Sequence, residues 1–308
     1  MIAFVFPGQG SQYVGMGKEL CDEFAIAKNT FEEANDALGF DLSALCFEGE
    51  QSELSLTANA QPALLTTSIA CLRVLQSETS LNPDFVAGHS LGEYTALVAN
   101  GAFRLSDAVK VVRKRGEFMQ EAVPVGVGAM AAVLGLDKDK VKEICNQVSK
   151  NGLIASPANL NAPGQTVISG NREAIEQASI LAKAQGAKRV VPLDVSAPFH
   201  CALMQPAADR LSGVLNEVNI AQMSSPVVAN CTASLTNDSS KVKELLISQV
   251  TSPVRWYESV EVLKNQGCNH FIEIGPKNVL AGLIKRTLSD VSVSNFEKIS
   301  QLESINNG

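Results

Sequence analysis

The stretch "VAGHSLGEY", Val86 to Tyr94, decides how this chain reads. "DFVAGH" is a short apolar run with the pattern of a buried strand, and "LGEYTALVAN" opens a helix that stops at Gly101. Between them Gly88-His89-Ser90-Leu91-Gly92 fits G-x-S-x-G at a strand-to-helix turn. Side chains at the two flanking positions would collide in so tight a turn, so glycine stands there. The turn lifts the Ser90 hydroxyl clear of the sheet and aims it at the first turn of a helix. The free N–H groups and dipole there favour negative charge. Ser90 is therefore a candidate nucleophile with the Leu91 N–H as an oxyanion donor, and a plain tight turn is the bland alternative.

Outward from this turn, "IAFVF" (Ile2–Phe6) is a second buried strand, stopped by Pro7-Gly8. Helices are expected over 17–38, over 57–78 with Thr57 as cap, and over 106–122. The middle changes texture: "GAMAAVLGL", "LIASPANL", "QTVISG" and "AKRVVPLDV" read as strands, with two amphipathic helices among them. Their order, β-α-β-β-α-β, is that of a ferredoxin-like split unit. We therefore expect an inserted subdomain over 125–195, and a large α/β domain formed by 1–124 and 196–308. Alternating strands and helices outside the insert imply a mainly parallel sheet with helices on both faces. The polar tail after Ser294 is expected to be loosely held.

Composition bounds the function. The chain has 308 residues, 45% apolar and 19% charged, enough for a generous core. A formal net charge of −7 and a pI near 5.1 argue against nucleic acid as a partner. Seven cysteines, an odd number without a CxxC pair, read as reduced thiols in a cytosol rather than a disulfide framework. The histidines, His89, His200 and His270, have no metal-ligand spacing, so no metal site is expected. The amino terminus lacks a signal-peptide pattern, and no apolar run has the length of a membrane span. These features predict a cytoplasmic protein with no membrane partner.

A nucleophilic serine needs a base. His89 is adjacent to Ser90 and should point elsewhere, in a packing or hydrogen-bonding role, and His270 opens an apolar strand. His200, at the end of "VSAPFH" where the insert rejoins the large domain, is the candidate base. Its neighbour Cys201 offers a rival Cys–His pair, discounted because consecutive side chains diverge. On the helix "SDAVKVVRKRGEFMQEA", Lys110, Arg113, Lys114 and Glu117 share one face. The helical neighbours of Arg115 are Val111, Val112, Phe118 and Met119, so Arg115 lies in the buried stripe. An arginine there needs an anion: an internal carboxylate, or a substrate carboxylate gripped bidentately.

Several collinear blocks carry a resemblance: "FPGQGSQ" (Phe6–Gln12), "GHSLGEY" (Gly88–Tyr94), "RGEFMQEAVP" (Arg115–Pro124), "NAPGQTVISG" (Asn161–Gly170), "SAPFH" (Ser196–His200), "QVTSPVRW" (Gln249–Trp256) and "EIGPKNVL" (Glu273–Leu280). Nearly end to end, the chain resembles the malonyl-CoA:acyl carrier protein transacylases, the acyltransferases of fatty-acid and polyketide synthesis. Its "SAPFH" form resembles the stand-alone bacterial enzyme rather than methylmalonyl-selective domains. The resemblance implies a hydrolase-like α/β fold with a ferredoxin-like insert. It implies Ser90 as nucleophile, His200 as base and Arg115 as the ligand of the malonyl carboxylate. It further implies an oxyanion hole from the N–H groups of Gln9 and Leu91, and a main-chain carbonyl at Gln249 that orients the histidine. No cofactor is implied beyond the coenzyme A thioester substrate and the phosphopantetheine carried by acyl carrier protein. A monomer is expected.

Phe199, Asn159 and Asn161 are candidates for shaping the acyl or pantetheine slot. Docking an acidic carrier onto an acidic enzyme needs a basic patch, either Lys110, Arg113 and Lys114 or Lys277, Lys285 and Arg286. A serine esterase or thioesterase shares the elbow and histidine and is the alternative reading. "GVGAMA" (Gly126–Ala131) matches a dinucleotide fingerprint, but it precedes a strand where phosphate cradling requires it to follow one.

Overall fold

The computed structural model describes residues 1–195 and 197–306. Among the described residues ten strands form two sheets. The larger sheet contains β1 (Ile2–Phe6), β2 (Phe85–Gly88), β7 (Val227–Ala229), β8 (Ser234–Thr236), β9 (His270–Ile274) and β10 (Ser292–Phe296), in the order β10-β9-β1-β2-β7-β8. Every pairing is parallel except β7 with β8. Alternation along β1 explains the layers: Phe4 and Phe6 join one apolar cluster, while Ala3 and Val5 join the other. Helices Thr57–Glu78 and Leu105–Glu121 cover the first face, and Trp256–Asn265 and Val279–Thr287 cover the second. A central parallel strand buried on both faces is apolar throughout, as "IAFVF" is.

The smaller sheet is antiparallel: β3 (Gly128–Leu134), β4 (Ala155–Ala162), β5 (Gln165–Asn171) and β6 (Arg189–Pro192), in the order β4-β5-β3-β6. Helices Lys138–Val148 and Arg172–Ala184 complete the β-α-β-β-α-β unit and pack on Ala131, Val133 and Ile168. The opposite face sends Met130 and Val167 into the main core. Main-chain bonds stitch β4 to the large sheet's side of the molecule: Leu160 N–H donates to the Val254 carbonyl and Val254 N–H to that of Ala158, each at 2.8 Å. The expected boundary at Ser196 lies outside the described residues.

The helical region expected over 17–38 is made of two helices, Lys18–Glu23 and Ala25–Leu38, broken where Phe24 is extended. Two other expectations need correction. Thr57 is the first residue of its helix and makes no side-chain cap. Its hydroxyl instead accepts from Gln9 Nε2 at 3.3 Å. The tail after Ser294 is anchored, because Phe296 and Ile305 are buried in the main core. Asn307 and Gly308 lie outside the described residues.

Candidate active site

β1 and β2 run in register, Phe6 opposite Gly88, so the loops leaving their carboxyl ends lie side by side. Ligands of parallel sheets bind at this edge. The turn after β2 is held by close backbone approaches. A Cβ at Gly88 would lie 1.9 Å from the Gly92 carbonyl oxygen, and one at Gly92 would lie 2.1 Å from that of Phe6. Ser90 sits at φ 53°, ψ −102°, a conformation that non-glycine residues adopt only when the surroundings enforce it. Asn230 enforces it: its Oδ1 accepts from Ser90 N–H and its Nδ2 donates to the Gly88 carbonyl, both at 2.7 Å.

Ser90 Oγ donates to His200 Nε2 at 2.8 Å, and His200 Nδ1–H donates to the Gln249 carbonyl at 2.9 Å. A carbonyl can only accept, so the proton belongs on Nδ1 and Nε2 is left bare, facing the hydroxyl. Burial, with the positive charge of Arg115, pushes His200 down to about 3, so the ring is neutral at physiological pH. His200 itself has φ 59°, consistent with a turn built to present its ring.

Arg115 is 2% exposed. Its Nη1 donates to Gln61 Oε1 at 2.8 Å, and its Nη2 to Gln249 Oε1 at 2.9 Å and Ser90 Oγ at 3.0 Å. Its guanidinium carbon lies 5.4 Å from the Tyr94 ring centre. Among the described residues no carboxylate lies within ion-pair distance of it. Of the two anions allowed by the sequence, the internal one is therefore not in contact. A buried guanidinium supported only by neutral acceptors suits an anion brought from outside.

Ser90, His200 and Arg115 line one cavity of about 340 Å³, with Gln9, Gln61, Asn159 and Phe199 in its wall. Asn161 is not in that wall: its Oδ1 meets His89 Nε2 at 2.9 Å and ties β4 to the elbow. His89 thus has a hydrogen-bonding role. His270 meets Ser294 Oγ at 3.0 Å within the sheet, and Cys201 Sγ–H donates to the Pro198 carbonyl at 3.1 Å. Among the described residues no acceptor meets the N–H of Gln9 or of Leu91, and Leu91 begins a helix whose first N–H groups have no intrahelical partner. No group of three or more His, Cys, Asp or Glu among the described residues is placed to hold a metal ion. Asn230, Gln61 and Glu93 escaped the sequence reading. Only Glu93 left a signal there, as an acid in an otherwise apolar helix.

A bare imidazole on a strained serine, beside N–H donors and an arginine without a counter-ion among the described residues, has the make-up that serine acyl transfer on an α/β sheet requires. The chain belongs to the acyl transferase family: the model of the acyl transferase domain matches residues 3–304. It is 54% identical over 301 residues to the malonyl CoA-acyl carrier protein transacylase of Bacillus subtilis (strain 168), covering 97% of this chain and 95% of that one. The structure of the malonyl CoA-acyl carrier protein transacylase from Coxiella burnetii superimposes with a TM-score of 0.97 at 44% identity, covering 99% of this chain and 96% of that one. A type II polyketide-synthase acyl carrier protein has been solved in complex with its malonyl-transacylase. The match to that structure has a TM-score of 0.96 at 44% identity and covers 99% of both chains.

Proposed function

We propose that this acyl transferase moves a malonyl group from malonyl-CoA to the phosphopantetheine thiol of acyl carrier protein, through a malonyl ester on Ser90, in fatty-acid synthesis. The observation that carries the reading is the meeting at one oxygen: Ser90 Oγ is bonded both to His200 Nε2 and to Arg115 Nη2. The guanidinium takes the malonyl carboxylate and holds the thioester carbonyl over the serine. His200 Nε2 accepts the hydroxyl proton as Oγ attacks. The oxyanion is held by the N–H groups of Gln9 and Leu91, about 3 kcal/mol each. The C–S bond then breaks, and His200 returns the proton to the coenzyme A thiolate. The pantetheine thiol attacks the ester by the reverse route, giving its proton to His200 and restoring the serine hydroxyl. This is ping-pong catalysis, and no step requires a metal or a dissociable cofactor.

Arg115 also supplies selectivity, because acetyl-CoA would leave its buried charge unpaired. Phe199 and Asn159 shape the acyl slot. For docking, Lys277, Lys285 and Arg286 are the better of the two basic groups. Lys277 Nζ donates to the carbonyl of Gly10 beside the cavity, whereas Arg113 and Lys114 are both paired with Glu117. We take the enzyme to act as a monomer, since one chain supplies every group used above. We place it in the cytoplasm, a reading supported by free cysteines and by the absence, among the described residues, of a helix long and apolar enough to cross a membrane. The esterase alternative shares the elbow and histidine but gives Arg115 no task. Coenzyme A release from malonyl-CoA, with and without acyl carrier protein, tests the choice. Transfer predicts sustained release only with the acceptor, and rapid turnover in water alone would establish a hydrolase.

A further inference from the structure

One buried acid in the site has no part in the steps above. Glu93 lies in the first turn of helix Leu91–Ala99 and is 2% exposed. Among the described residues it has no ion-pair partner, and burial pushes its carboxyl up to about 7. An acid at a helix N-terminus can simply complement the dipole. Here, however, the hydrogen bonds of Oε2 go to other segments. Oε2 accepts from Gln249 Nε2 at 2.7 Å and from Asn230 N–H at 3.1 Å.

Gln249 is the hub. Its Nε2 also donates to the Ser90 carbonyl at 2.9 Å, while its Oε1 accepts from Arg115 Nη2 at 2.9 Å. An amide in this slot has one way round. Turned over, its NH₂ would face the donor-only guanidinium and its oxygen would face a carboxylate and a carbonyl. Glu93 Oε2, which accepts from the amide, joins the Ser90 carbonyl and the guanidinium in selecting that orientation. Arg115 in turn has two fixed side-chain acceptors besides Ser90, namely Gln61 and Gln249, and its planar fork is aimed by both. His200 is anchored differently, by the main-chain carbonyl of Gln249, which does not depend on the amide's orientation.

We propose that Glu93 is a positioning residue for substrate selection: it locks the Gln249 amide so that Oε1 aims the Arg115 fork at the substrate carboxylate. The proposal rests on the malonyl-transfer reading. Its signature is a fall in the malonyl-to-acetyl ratio, because the fork's contact with Ser90 Oγ serves both acyl groups while only malonyl adds a carboxylate bond to it.

The experiment compares wild type, Glu93→Gln, Gln249→Ala and the double variant. Each is assayed with malonyl-CoA and with acetyl-CoA by the rate of acylation at Ser90, and by thermal melting. Wild type must first acylate with malonyl; if it does not, the transfer reading and this proposal fall together. Glu93→Gln keeps the shape and removes the charge. It should lower the malonyl-to-acetyl ratio of kcat/KM by roughly ten- to a hundredfold, mostly through the malonyl KM. In the Gln249→Ala background it should bring no further loss of the malonyl-to-acetyl ratio. Should Glu93→Gln fail to fold, Gln249→Ala alone, which keeps the carbonyl that holds His200, must lower the malonyl-to-acetyl ratio in the same way, whatever the shared loss of rate. An unchanged ratio in whichever variant folds overturns the proposal, even if both rates fall with the melting temperature. A Glu93→Gln loss that persists without the Gln249 side chain overturns it too, while malonyl transfer by wild type stands.

Discussion

Replacing Arg115 by alanine separates two contributions of one side chain. Its Nη2 lies 3.0 Å from Oγ of Ser90, the proposed nucleophile, so on this account its charge favours the alkoxide whatever the acyl group. Losing that effect lowers malonyl and acetyl transfer alike. The second contribution concerns malonyl only. In the cavity the substrate carboxylate would be left buried without a cation, a loss of about 3–5 kcal/mol for one partner of a buried pair. At 1.36 kcal/mol per decade this is roughly 10²- to 10⁴-fold in kcat/KM beyond the loss shared with acetyl. Alanine also leaves Gln61 Oε1 and Gln249 Oε1 without their donor, so melting must accompany the kinetics. The assay is the initial rate of transfer to acyl carrier protein from malonyl-CoA and from acetyl-CoA, each over a range of concentrations. The malonyl-to-acetyl ratio of kcat/KM should collapse by at least two decades. Arg115→Lys, which keeps the charge and loses the fork, should fall between. A folded Arg115→Ala variant with its discrimination intact would refute the reasoning.

Other expectations concern the turn and the base. Asn230→Ala leaves the Ser90 N–H and the Gly88 carbonyl buried and unmet, which should cost about 1–3 kcal/mol of stability in denaturant melts and lower kcat without a matching change in KM. Gly92→Ala sets a Cβ 2.1 Å from the Phe6 carbonyl oxygen, a backbone clash with no side chain to yield, and should prevent soluble expression or lower the melting temperature sharply. The folded value of His200 lies below its unfolded 6.5, so the neutral ring contributes stability above pH 6.5 that is lost as pH falls toward about 3. The melting gap between wild type and His200→Ala should therefore shift against wild type on acidification, by about 2 kcal/mol between pH 6.5 and 4.5. A gap independent of pH would contradict the buried neutral ring.

The strand–turn–helix around Ser90 was legible because three constraints coincide there: an apolar run, two glycines and an apolar helix. Arg115 was legible because helical spacing sets it among Val111, Val112, Phe118 and Met119. The β-α-β-β-α-β order of the smaller sheet also appears in its apolar periods. What stayed hidden depends on long-range contact. Asn230 follows β7 and reaches the elbow from 140 positions away, and nothing local marks an asparagine in a loop as a clamp. Gln61, and the side-chain amide of Gln249 whose main-chain carbonyl the resemblance had named, are polar groups on helices, distinguished only by burial against Arg115. The break at Phe24 has neither glycine nor proline to announce it. The tail looked loose because its anchors, Phe296 and Ile305, are isolated apolar residues in a polar stretch, and only the core they enter gives them weight.

The central claim is a covalent malonyl ester on one serine. The most direct test incubates the protein with malonyl-CoA alone, then follows intact mass and maps the modified peptide. The account predicts a gain of one malonyl group on the peptide carrying Ser90, discharged on addition of acyl carrier protein and absent in Ser90→Ala. An adduct that survives in Ser90→Ala, or transfer to the carrier with no adduct at any time, would contradict it.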